Sequence, residues 1–136
     1  MKRVTLVPLA ISLGLILAVA LPAAASSGAN FRGRWHGTDV DGSNMQLWIT
    51  PSGWSGHRVL NLRGTDDDTV ETWCGGHARM EGFGVPQDEN TLATSIAWWC
   101  LDPAENILFP LPVTFTYDSS TDTISDEFGV VFYRGG

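Results

Sequence analysis

From residue 31 onward the chain is written in short runs rich in Val, Ile, Thr, Phe, Tyr and Trp, broken by clusters of Gly, Asp, Ser, Asn and Pro. The breaks recur about every 8–12 residues, the spacing of an all-β domain. No stretch of this region carries apolar residues at the 3.6-residue period of an amphipathic helix. The pattern predicts strands at 31–39, 44–50, 57–63, 69–74, 77–84, 91–99, 112–117 and 123–134, the last with a bulge near 126–129. Joined in chain order by short turns, these strands form an antiparallel meander. In so small a domain such a meander closes most economically into a single up-and-down barrel of about eight strands, because closure removes the exposed edges.

Turn chemistry fixes parts of the register. Asp41-Gly42 marks the first hairpin, and loop length decides which side chains share a face. A two-residue loop would set Trp35 opposite Trp48 and place Met45, Leu47 and Ile49 beside Arg34 and His36. A three-residue loop, Val40-Asp41-Gly42, pairs Asp39 with Ser43. It then sets Trp35 against Leu47, Gly33 against Ile49 and Gly37 against Met45, with Gly42 in the left-handed region. This second register gives one coherent apolar face and is the one expected. Farther on, Val113, Phe115 and Tyr117 alternate with threonines, and Tyr117 can pair with Ile124 around a turn at 119–122. In the final run Val130, Phe132 and Arg134 compete with Val131 and Tyr133 for the inward face.

The segment 1–25 has the anatomy of a signal peptide: Lys2-Arg3, a charge-free apolar run over 4–21, and Ala23-Ala24-Ala25 as a cleavage pattern. An uncleaved anchor is the alternative. Cleavage would leave one domain, 26–136, with six arginines against 15 acidic residues, a net charge of −9. That balance argues against nucleic acid and against an anionic membrane surface. Exported to the periplasm or secreted, the two cysteines, Cys74 and Cys100, are expected to pair. A bridge closing 26 positions constrains the unfolded chain by about 3.5 kcal/mol. In the predicted meander these cysteines lie on strands running the same way with one strand between them. The bridge must then sit at a rim, where chain ends curl together within disulfide reach. A zinc site using His77, His36 and His57 lacks repeated ligand spacing.

Gly33-Arg34-Trp35 at the start of the first strand, with Arg134 near the end of the last, resembles the calycin superfamily of lipocalins, fatty-acid-binding proteins and avidins. The resemblance covers these few anchor positions. It implies that Trp35 plugs one barrel end and that Arg134 covers its ring through a cation–π contact. In size, export and single disulfide the chain is also similar to small periplasmic barrel inhibitors of bacterial metalloproteases. In that family an N-terminal trunk enters the protease cleft, and the corresponding stretch here is 26–30.

Candidate chemistry is sparse. Gly53-Trp54-Ser55-Gly56-His57 approaches a nucleophile elbow but lacks its final glycine and lies in a β context, so a glycine-rich loop after Pro51 explains it. Asp39-Val40-Asp41-Gly42-Ser43 matches half a calcium loop without the terminal glutamate, and the hairpin already uses these residues. Asp66-Asp67-Asp68 with Glu71 is expected to be a solvated turn. Six tryptophans are many for such a domain. Trp98 and Trp99 are consecutive on one strand and must point to opposite faces. The aromatic side chains Trp54, Trp73, Trp98, Trp99 and Tyr117 are therefore the ligand-contact candidates.

The volume of the inward residues favours a filled barrel over an open cup. These features together predict an exported, monomeric, non-enzymatic module with no catalytic residues, no metal and no cofactor. It would bind a small apolar or aromatic ligand at the end opposite Trp35. The alternatives are a protein-binding module acting through a rim loop at 51–57 or 102–111, with an extracellular protein as partner, or a structural surface domain.

Overall fold

The computed structural model describes residues 27–53, 58–69, 74–101 and 110–135. The segment 1–25, the loop residues 54–57 and 102–109, and Trp73 lie outside them. A single 3-10 turn, Ala29–Phe31, leads into β1 (Gly33–Thr38), β2 (Asn44–Pro51), β3 (Leu60–Thr69), β4 (Gly76–Pro86), β5 (Thr91–Cys100), β6 (Leu111–Asp118), β7 (Thr123–Ser125) and β8 (Val131–Arg134). Every neighbouring pair is antiparallel, and β8 pairs back onto β1, so the sheet is a closed eight-stranded up-and-down barrel.

The expected register of the first hairpin is the observed one: Gly33 faces Ile49, Trp35 faces Leu47 and Gly37 faces Met45. Asp39 N–H donates to Ser43 O at 2.9 Å, and Gly42 sits at φ 93°, where a side chain would be strained. Tyr117 pairs with Ile124, as anticipated. In β8 the ambiguity resolves by burial: Phe132 and the preceding Val130 are buried, whereas Val131 and Tyr133 are exposed.

Two predicted boundaries are corrected. The run at 57–63 and the solvated Asp66-Asp67-Asp68 turn after it are replaced by the single strand β3, which runs through the aspartates to Thr69, while 70–73 of the predicted 69–74 strand lie outside the described residues. As an interior strand, β3 finds backbone partners on β2 and β4 as far as Asp66, and this double ladder outweighs the poor strand propensity of aspartate. Conversely, the run 123–134 divides into β7 and β8. Asp126 makes the break: its Oδ1 accepts from the backbone N–H groups of Phe128 and Val130, both at 3.0 Å. Gly129, at φ 95°, completes the reversal. The two corrections cancel in the strand count.

The disulfide geometry changes accordingly. Cys74 and Cys100 are joined, with Cα atoms 5.1 Å apart. The strands concerned are adjacent, because Cys100 ends β5 opposite Ala78 of β4 and Cys74 lies just before β4 begins. No intervening strand has to be spanned. The rim position is retained, and Leu101 N–H donates to His77 O at 2.9 Å beside the bridge.

Candidate functional site

The two barrel ends are built differently. At the end where β1 begins, the 3-10 turn carries Phe31 into the core, and Trp35 lies above it, almost wholly buried. Trp35 Nε1 donates to Phe31 O at 2.8 Å, satisfying the one polar atom of a buried indole. The Arg134 guanidinium lies 4.1 Å from the centre of a Trp35 ring. Its Nε meets both Asp122 carboxylate oxygens at 2.8 and 2.9 Å, while its terminal nitrogens donate to Arg32 O and Asn30 O. One arginine thus ties the last strand to the N-terminal turn and to the β6–β7 turn. Its hydrogen bond holds the Asp122 carboxyl below the usual aspartate range, and Tyr117 Oη contributes a further one.

The opposite end is hollow. A cavity of about 280 Å³ occupies the barrel interior there and reaches the surface, because exposed Val40 and Phe128 form part of its lining. Leu47, the cross-strand partner of Trp35, and Phe115 line it deepest. Met45, Met80, Ile96 and Val113 form its walls, each projecting inward by strand alternation. The volume argument for a filled barrel therefore holds for one half only. Near Trp35 the interior is packed, since Phe31, carried in by the 3-10 turn, adds bulk that the inward strand residues alone do not supply. Toward the mouth no equivalent plug is present among the described residues.

Among the described residues the charged ones lining the cavity are four carboxylates, Asp39, Asp41, Asp66 and Asp126. Asp39 and Asp41 belong to the β1–β2 turn and Asp126 to the β7–β8 turn at this end. Asp39 Oδ1 accepts from Val40 N–H and Asp41 Oδ1 from Ser43 N–H. Asp66 belongs to the wall and is only 2 % exposed. Burial pushes the Asp126 carboxyl above its ordinary value, with repulsion from Glu127 and Asp39 adding to the shift and two backbone N–H bonds opposing it. Among the described residues no group of three or more His, Cys, Asp or Glu side chains is placed to hold a metal ion. His36 and His77 are exposed and line no part of the cavity.

Of the aromatic candidates, Trp98 lines the cavity. Trp99, next in sequence, is turned to the outer face, where the Arg79 guanidinium lies 5.4 Å from its ring. Tyr117 is at the closed end, edge-on to Phe31 and Trp35. Strand alternation and the end of β6 account for these two placements. Trp54 and Trp73 fall outside the described residues. Sequence reasoning missed the four aspartates as lining groups because each has the composition of a turn. For Asp66 a signal existed: Leu60, Leu62, Gly64 and Asp66 share one parity, and Leu60 and Leu62 are plainly inward residues. Comparison with protein-family models, with curated proteins and with solved structures finds no match to this chain.

Proposed function

We propose that this barrel is an exported, non-enzymatic binding module that takes a small, largely apolar or aromatic ligand into the cup opposite Trp35. The observation that carries the reading is the open apolar cavity itself, placed at the barrel end opposite Trp35, where the described residues supply no plug. Ligand sites are typically concave and mostly apolar with a few polar groups that fix orientation. At 280 Å³ the cup lies at the small end of such sites and equals about nine waters by liquid volume. Trp98 offers a flat wall against which an aromatic ring can stack. The Trp35–Arg134 stack supports a calycin-type barrel as the architecture, and the disulfide supports an oxidising compartment outside the cytoplasm. Among the described residues no helix is long and apolar enough to cross a membrane.

The test is calorimetric titration with 2-phenylethanol, a neutral aromatic probe of nine non-hydrogen atoms, alongside Val113→Phe, which fills the cup from its wall. Saturable binding in the parent protein, lost in a V113F variant that unfolds at a similar temperature, is the expected result. Unchanged binding in V113F would place the ligand elsewhere and overturn the reading.

A further inference from the structure

The described arginines of this chain are kept away from the cup. Arg134 and Arg32 act at the closed end, where Arg134 covers Trp35 and Arg32 Nη2 donates to Ser27 O at 2.9 Å. Arg34, Arg63 and Arg79 sit at exposed positions on the outer face of β1, β3 and β4. None of these residues, nor Arg58, lines the cup, whose described charged groups are all carboxylates. An apolar interior is thus entered past Asp39, Asp41 and Asp126, with Asp66 in the wall below.

Such a lining discriminates by sign. A carboxylate or sulfonate entering the cup would lose hydration while meeting like charge, and both effects oppose binding. A compact metal ion would find no converging donor set among the described residues. An organic cation keeps its apolar body against Met45, Met80 and Ile96 and sets its ammonium group toward the rim carboxylates. The rings of Trp98 and Phe128, both in the lining, offer cation–π faces along the same path. A cation also relieves the repulsion that Glu127 and Asp39 impose on Asp126.

We infer that the cup selects an amphiphilic organic cation, a primary or substituted amine on a small aromatic or aliphatic body, over neutral or anionic molecules of the same shape. This inference rests on the reading of the cup as a ligand site. Each turn carboxylate has a local role through Oδ1, as acceptor for a backbone N–H, and asparagine retains that acceptor. The charge can therefore be removed without removing the turn.

Three probes sharing one phenyl skeleton test it: 2-phenylethylamine, 2-phenylethanol and phenylacetate, titrated calorimetrically into the disulfide-bonded protein at low and physiological ionic strength. The amine is expected to bind about tenfold or more tightly than the alcohol, and phenylacetate most weakly. The double substitution Asp39→Asn with Asp126→Asn is expected to remove most of the amine's advantage and leave 2-phenylethanol within about twofold of its original affinity. Asp41→Asn, alone, gives the same direction if the double variant does not fold. Equal binding of the three probes, or preference for phenylacetate, overturns the charge selection and leaves the cup reading intact. Failure of all three to bind overturns the cup reading and this inference with it.

Discussion

Leu47→Ala and Leu92→Ala make one chemical change at two places in one barrel. Both leucines are about equally buried, 1 % and 0 % exposed. Their surroundings differ. Leu92 packs in the closed half, where a Cβ added to Gly84 would meet Leu92 Cδ1 at 2.9 Å and Leu62 Cδ1 at 3.1 Å. Removing its side chain opens a new sealed void. Leu47 already borders the cup, so the vacated space joins a cavity that reaches solvent. Loss of three carbons costs about 2.4 kcal/mol by transfer alone. Sealed voids raise leucine-to-alanine losses toward about 5 kcal/mol in proportion to their volume. The expectation is about 4 kcal/mol for Leu92→Ala and about 2.5 for Leu47→Ala, a difference of about 1.5 kcal/mol. In a domain of this size that separates the two midpoints by about 6 °C. Urea unfolding monitored by far-UV circular dichroism, with unchanged m-values as a check, measures the difference directly. Equal losses, or a larger loss at Leu47, would refute the division into a packed half and a hollow half.

Replacing both Cys74 and Cys100 by serine is expected to lower stability by about 3.5 kcal/mol, the value for a loop of 26 positions, read as a fall in urea midpoint. Arg134→Met should destabilise the closed end and change acid sensitivity. In the parent, Asp122 has a lowered folded-state pKa, so its contribution is present above the unfolded value of 3.8 and is lost as pH falls through the folded value. In R134M that loss below pH 3.8 should largely vanish from a midpoint-against-pH curve. Asp126 runs the other way: burial raises its folded-state pKa, so its ionisation opposes folding at neutral pH. Asp126→Asn is expected to raise the thermal midpoint at pH 7 while weakening 2-phenylethylamine binding, and a fall in both would reduce Asp126 to a turn residue.

Strand alternation and turn chemistry carried most of the architecture. The first hairpin could be read to the residue because only a three-residue loop places small residues opposite large ones on a single face. The contact of Arg134 with Trp35 was implied by the resemblance of Gly33-Arg34-Trp35 and Arg134 to calycin barrels, and the closed meander brings the two together. The errors lie where local composition and tertiary pairing disagree. Asp66 looks like a turn residue and becomes strand because two neighbours supply its backbone with partners, a fact set by Met45 on one side and Ala78 on the other, both far outside any local window. Asp126 breaks a run of good strand formers because its side chain replaces the ladder with two local hydrogen bonds. The hollow half was hidden for a similar reason: the volumes of inward residues can be summed from sequence, but their distribution along the barrel axis depends on Phe31, which enters from outside the meander.

That distribution links stability to binding. The contacts that hold the barrel shut converge at one end, where a single guanidinium meets an indole, a carboxylate and two carbonyls belonging to three segments of chain. The opposite end is held by the sheet itself and by sulfur at the rim, and among the described residues nothing plugs its interior. Its turns are made by aspartates because aspartate both accepts backbone N–H groups and tolerates chain reversal. Asparagine or serine would serve those turns as well, so the turn requirement alone does not explain a mouth whose described charged groups are all anionic. The sign of the mouth is a separable property, laid over turns that would form without it. Substitutions that exchange charge and preserve the acceptor therefore act on recognition with the architecture held constant.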